Sequence, residues 1–121
     1  MYDINKFIAN PKLANFDAEG FLADLPHWSP RVAHQLAEEE GLTLTEAHWD
    51  VIHHLREMYR AEGPQWKARD VTQALEKAFA HEGGRRHLYA LFPGGPLAQG
   101  CKLAGLPLPQ GTLDRSFGSV H

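Results

Sequence analysis

The first strong periodicity along the chain follows Ser29-Pro30, where Val32, Ala33, Leu36 and Ala37 form an apolar stripe among polar neighbours. Serine at the N-cap and proline at the first helical position predict a helix that Gly41 ends. Thr45 can cap a longer second helix in which Trp49, Ile52, Leu55 or Arg56, and Tyr59 return at three- and four-residue steps, with Val51 and Met58 widening the face. Gly63-Pro64 stops it. A third helix is predicted over about Lys67 to His81, burying Val71, Ala74, Leu75, Ala78 and Phe79 before Gly83-Gly84. Arg85 to Phe92 reads as a fourth helix, Pro93-Gly94-Gly95 as a turn, and Pro96 to Ala104 as a fifth that closes on Gly105. Leu106-Pro107-Leu108-Pro109 is expected to be extended, because each proline disfavours helix at its predecessor. Met1 to Pro26 holds only the short clusters Phe7-Ile8, Phe16 and Phe21-Leu22, which read as weak strands or a hairpin. The expected class is therefore α+β and mainly helical. A small N-terminal β-element packs on about five helices, two of them a helix-turn-helix-like pair, with an extended C-terminal arm.

Composition narrows this picture. A chain of 121 residues, 43% hydrophobic and 22% charged, suits one compact domain; its body is taken as 1–105 and its arm, expected to be flexible, as 106–121. There is no apolar run of about 18 residues and no basic cap with a cleavage pattern at the start, so a cytoplasmic location without membrane contact is expected. One cysteine closes no internal disulfide and builds no cysteine-type zinc site. The net charge of -3 hides an asymmetry: residues 1–54 carry three basic and nine acidic side chains, residues 55–121 nine basic and six acidic. That balance is too mild for a typical nucleic-acid binder but allows a local anion-attracting face.

Several residue groups could carry chemistry. His48-Trp49-Asp50-Val51-Ile52-His53-His54 offers three histidines and a carboxylate, yet lacks the paired-histidine spacing of a zinc helix and reads as an exposed histidine face. No metal is implied. The second and third helices, with Arg56, Arg60, Lys67, Arg69 and Lys77, have a layout that would suit phosphate contacts and equally suits ordinary packing. Arg85-Arg86 sits at a helix start, where cations oppose the helix dipole, which points to docking of an anion or partner. Cys101 has two readings. Leu97, Cys101 and Ala104 fall at i, i+4 and i+7, so its sulfur can face the core; Lys102 beside it would instead favour a thiolate.

Four separated motifs, DAEGFL, EGLTLTEAHWDVI, HLYALFPGGP and CKLAGLPLPQG, resemble the DsrC/TusE family of sulfur-relay proteins from about Phe16 to Gly111. The resemblance implies a small β-element on a helical array and a projecting arm that carries one or two cysteines. One follows the PxPxG segment and takes a persulfide; an upstream partner stands at the start of the AGLP motif. Cys101 occupies the upstream position and is the candidate sulfur-handling residue. Arg85, Arg86 and Lys102 are candidates for attracting anionic groups, and Tyr89, within the matched HLYALFP, for packing or docking. Where the persulfide-bearing cysteine is expected stands Thr112, and nine residues follow it. A hydroxyl has negligible anion content at neutral pH and forms no stable persulfide analogue. The implied function is persulfide carriage in sulfur trafficking, such as tRNA thiolation or dissimilatory sulfur metabolism. The implied partners are donor and acceptor proteins like the TusBCD or sulfite-reductase complexes, with tRNA involved only indirectly. A non-catalytic regulatory or partner-binding relative and a nucleic-acid-binding helix-turn-helix protein are the alternatives. No phosphate loop, dinucleotide fingerprint or other cofactor signal is present.

Overall fold

The computed structural model describes residues 20–112. Most of the expected β-element, residues 1–19, lies outside them. Its last cluster, Phe21-Leu22, forms no strand but a 3-10 turn, Gly20–Asp24. Phe21 lies flat against Gly63, so close that a Cβ there would come within 2.7 Å of the ring. Five α-helices follow among the described residues: α1 (Pro30–Glu39), α2 (Glu46–Glu62), α3 (Ala68–Ala78), α4 (Arg85–Leu91) and α5 (Ala98–Ala104). A 3-10 turn, Gly63–Gln65, joins α2 to α3, and another, Ala80–Glu82, leads toward α4. Among these residues no helix is long and apolar enough to cross a membrane.

Helix α2 is the central element and packs on α5, α3 and the Gly20–Asp24 turn, while α1 packs on α5. The buried face of α2 is His48, Val51, Ile52, Leu55 and Tyr59, which leaves the predicted stripe residues Trp49 and Met58 half-buried. Close approach is possible because the facing residues are small. Helix α1 buries Ala33 and Ala37, and α5 buries Gly100 and Ala104. A Cβ on Gly100 would already sit 3.0 Å from Leu55 Cδ1. Around this contact Trp66, Val71, Leu75, Leu88, Phe92, Leu103 and Leu106 complete the core, each large side chain stabilising the fold by about 1.5–3 kcal/mol.

His48 corrects the reading of an exposed histidine face. It is only 5% exposed and stands at the third position of α2, where Nδ1 accepts the Thr45 backbone N–H at 3.0 Å. Its Nε2 then donates to the Leu91 carbonyl at 2.8 Å, and its ring meets Phe92 edge-on, centroids 5.1 Å apart. The residue thus caps α2 and ties the start of that helix to the end of α4. His53 stays exposed, and His54 packs its ring against Phe79.

The end of α5 is closed on all sides. The last four carbonyls of a helix lack intrahelical donors, and here each has a partner. Leu106 N–H bonds Cys101 O at 2.9 Å and Gly105 N–H bonds Lys102 O at 3.2 Å, the two bonds of a Schellman turn. Trp28 Nε1 donates to Leu103 O at 2.8 Å, and Arg56 Nη1 donates to Ala104 O. The Arg56 guanidinium also stacks on Trp28, 4.0 Å from the ring centroid. Gly105 is required twice, by its φ of +71° and by Trp28 Cδ1, which would lie 2.5 Å from an added Cβ.

Gly105→Ala should therefore lower unfolding free energy by about 2–4 kcal/mol in urea titrations. Gly41→Ala shares the positive φ, +73°, but its Cβ would meet nothing within 4 Å, so it should lose only about 1–2 kcal/mol. Equal losses would show that the Trp28 contact is not what Gly105 serves.

Candidate functional site

The arm leaves α5 through the motif read as AGLPLP, and the fold gives several of its positions a steric task. Ala104 is enclosed, Gly105 turns the chain under Trp28, and Leu106 and Pro109 are buried while Pro107 and Leu108 face outward. Gln110 then pairs with the entry of α3, its N–H donating to Trp66 O at 3.0 Å and its carbonyl accepting from Ala68 N–H at 2.9 Å. This isolated parallel bridge, Lys67 to Gln110, holds the first part of an arm expected to be flexible from residue 106.

The bridge delivers Thr112 to a cleft of about 440 Å³. The N–H and hydroxyl of Thr112 both donate to Pro109 O, at 3.2 and 2.7 Å. The cleft lies between α3, which supplies Thr72, Leu75 and Glu76, and α4, which supplies Arg85, Leu88 and Tyr89; the turn from Pro93 to Ala98 closes its third side. Three of the expected site residues, Arg85, Tyr89 and Thr112, are thus brought together. Arg85 Nε donates to Glu76 Oε2 at 2.9 Å, and that carboxylate raises the arginine pKa above its ordinary value. The pair also explains an arginine at a helix start: its charge answers a neighbouring helix rather than its own dipole.

The other expected residues lie elsewhere. Arg86 is exposed and does not line the cleft. Lys102 does not face the sulfur of its neighbour; its ammonium bonds Glu40 Oε2 at 2.5 Å. Glu40 also accepts from Gln99 Nε2 at 2.6 Å, and Gln99 and then Lys102 hold its carboxyl below the usual range. Gln99 Oε1 takes the Gly94 N–H at 3.0 Å, so this network fixes the turn that walls the cleft. Sequence reading missed Glu40, Gln99 and Glu76 because their partners lie 59 and 9 residues away, outside any local period.

Cys101 sits in the core with 0% exposure. Burial disfavours the charged thiolate and pushes its pKa from near 9 up to about 12. At neutral pH the thiolate fraction is then on the order of one in 10⁵. On the helix-turn-helix-like pair, Arg56 is engaged inside the fold and Arg60 bonds Glu57 at 2.9 Å, while Lys67, Arg69 and Lys77 remain exposed. Among the described residues no group of three or more His, Cys, Asp and Glu side chains could hold a metal ion.

A family model described as DsrC like protein matches residues 9–113, a span that includes both Cys101 and Thr112. The chain belongs to the DsrC-like family. Sulfurtransferase TusE of Sodalis glossinidius is 44% identical over 94 residues, 77% of this chain and 87% of that protein. Sulfurtransferase TusE of Yersinia pestis is 40% identical over 99 residues, 81% and 91% of the two chains. Sulfurtransferase TusE of Escherichia coli K12 is 39% identical over 94 residues, 77% and 86%. Among solved structures, the NMR structure of Allochromatium vinosum DsrC superposes with a TM-score of 0.62 at 44% identity, covering 78% of this chain and 86% of that one. The helical array described above is therefore a DsrC-like fold, and the cleft with the arm end lies within the matched span.

Burial of Cys101 has a pH signature. Its folded pKa exceeds its unfolded one, so its contribution to stability is complete below about pH 9 and is lost as pH rises toward 12. Urea titrations at pH 7 and pH 10 should show Cys101→Ala costing about 1 kcal/mol at pH 7 and losing less stability than the native chain between the two. Parallel losses in both proteins would mean the thiol is as ionisable folded as unfolded.

Proposed function

We propose that this chain is a sulfur-relay component of the TusE and DsrC kind that docks with relay partners but bears no sulfur at its arm end. The observation that carries this reading is the pairing of two positions. Thr112, standing where the family resemblance sets the persulfide-bearing cysteine, lines the cleft, and the one thiol of the chain is enclosed in the core.

Persulfide transfer needs a thiolate that attacks the outer sulfur of a donor persulfide. One S–S bond breaks as another forms, and the donor cysteine leaves as a thiolate. Attack requires anion content and approach. Thr112 has approach without anion content; Cys101 has neither in the folded state. What remains is recognition: a cleft of mixed polar and apolar lining, with the Arg85–Glu76 pair and the half-exposed ring of Tyr89 beside it. Donor and acceptor proteins of a sulfur-relay system are the proposed partners, and modulation of their transfer is the proposed role.

Exposure to a small-molecule persulfide followed by intact mass spectrometry tests this directly. The native chain should gain no sulfur, while Thr112→Cys should gain one sulfur atom under the same conditions. A sulfur adduct on Cys101 of the folded native chain would overturn the reading in favour of carriage by that residue. Failure of Thr112→Cys to load would count against the arm end as the site.

A further inference from the structure

The cleft wall from Pro93 to Ala98 is anchored at both ends. Its entry is fixed by the buried Phe92 and by the His48 bond to Leu91 O, and its exit runs into α5. Between them Pro93 and Pro96 have no N–H, and Gly95 N–H bonds Phe92 O at 2.8 Å. The remaining N–H of these four residues, that of Gly94, is taken by a side chain, Gln99 Oε1, at 3.0 Å. A Cβ on Gly94 would come within 3.3 Å of Gln99 Cδ, so glycine leaves the room that the amide uses. We propose that Glu40, at the end of α1 and outside the cleft, is the positioning residue for this wall, acting through the amide of Gln99. The assignment rests on the reading of the cleft as a docking site for its consequence, which is that a partner's fit depends on a side chain that does not line the cleft.

Chemistry supplies the direction. The Glu40 carboxylate accepts from Gln99 Nε2 at 2.6 Å and from Lys102 Nζ at 2.5 Å, and Gln99 and then Lys102 keep it ionised to lower pH than an ordinary carboxyl. An ionised carboxylate has no hydrogen to give. The amide of Gln99 must therefore turn its NH2 to Glu40, which leaves its oxygen for Gly94. A flipped amide would lose both bonds, setting oxygen against oxygen and N–H against N–H. Placement is the second argument. Glu40 is the C-cap of α1 and follows Glu38 and Glu39, at the end of a helix where the dipole disfavours anions. A carboxylate there is locally unfavourable, and its partners lie 59 and 62 residues away on α5. Such a break with a local rule is expected where a site has to be held.

Amide hydrogen exchange of the full chain, read by NMR at Gly94, tests the assignment. Gln99→Glu sets two carboxylates face to face and Glu40→Leu removes the acceptor, so each should speed Gly94 exchange about fivefold, the worth of one hydrogen bond. The swap Glu40→Gln with Gln99→Glu keeps these bonds and reverses the middle one: the carboxylate at position 99 accepts from Gly94 N–H and from the amide at position 40. It should return Gly94 to within about twofold of the native rate, which a role in bulk packing does not produce. Ala68 N–H on α3, bonded to Gln110 O at 2.9 Å, should keep its native rate throughout. Unchanged Gly94 exchange in both single variants, or no return in the folded swap, would overturn the assignment. Equal acceleration at Ala68 would overturn it too, as general loosening, and Glu40→Leu read against Ala68 decides the case without the swap. A sulfur adduct on Cys101 would remove the relay reading and leave these rates as they are, so the two fail separately.

Discussion

The last turn of α5 is where the fold is decided. Four carbonyls that a helix end leaves without donors are each bonded here, by Leu106 and Gly105 along the chain and by Trp28 and Arg56 across it. A buried carbonyl without a partner would cost about 1–3 kcal/mol, so these bonds constrain where the helix stops and which way the chain leaves. Two consequences follow from one piece of geometry. The sulfur of Cys101 is kept inside α5, facing the core, and the residues after Gly105 are aimed along the entry of α3 toward the cleft.

Small residues make that closure possible, and charge pairs set its surroundings. Gly100 and Ala104 let α5 lie close to its neighbours, and Gly105 lets Trp28 cover the turn. On one side Glu40, Gln99 and Lys102 join the end of α1 to α5 and to the Gly94 turn. On the other, Arg85 and Glu76 join α4 to α3. Exposed pairs of this kind add little stability singly. Their effect is positional: they hold the two sides of the cleft at which the arm end stands. The DsrC-like fold thus surrounds a cleft that Thr112 helps to line.

Much of the helical order was legible because it is written locally. Ser29-Pro30, Thr45, Gly63-Pro64 and Gly105 mark helix limits within a residue or two of those observed, since capping and breaking depend on near neighbours. The spacing of Leu97, Cys101 and Ala104 also carried the buried option for the thiol. His48 was misread because its polarity suggested solvent, whereas its partner, the Leu91 carbonyl, lies 43 residues away. Trp28 and Arg56 act across 75 and 48 residues, and no period records such contacts. Lys102 pointed, in sequence, to its neighbour Cys101; in the fold the stronger attraction is the carboxylate of Glu40. Helix-start charge singled out Arg85, and motif resemblance Tyr89 and Thr112, without showing that the three line one cleft.

Enclosure of the Cys101 sulfur by the closed end of α5 is the central claim, and the rate of its alkylation in the native state tests it most directly. With a small iodoacetamide probe in buffer and in sub-denaturing urea, the rate should rise with urea in proportion to the globally unfolded population, and Trp28→Phe, which removes the donor to Leu103 O, should raise it in buffer. Alkylation at the speed of a free exposed thiol, unchanged by urea and by the Trp28 substitution, would contradict the account.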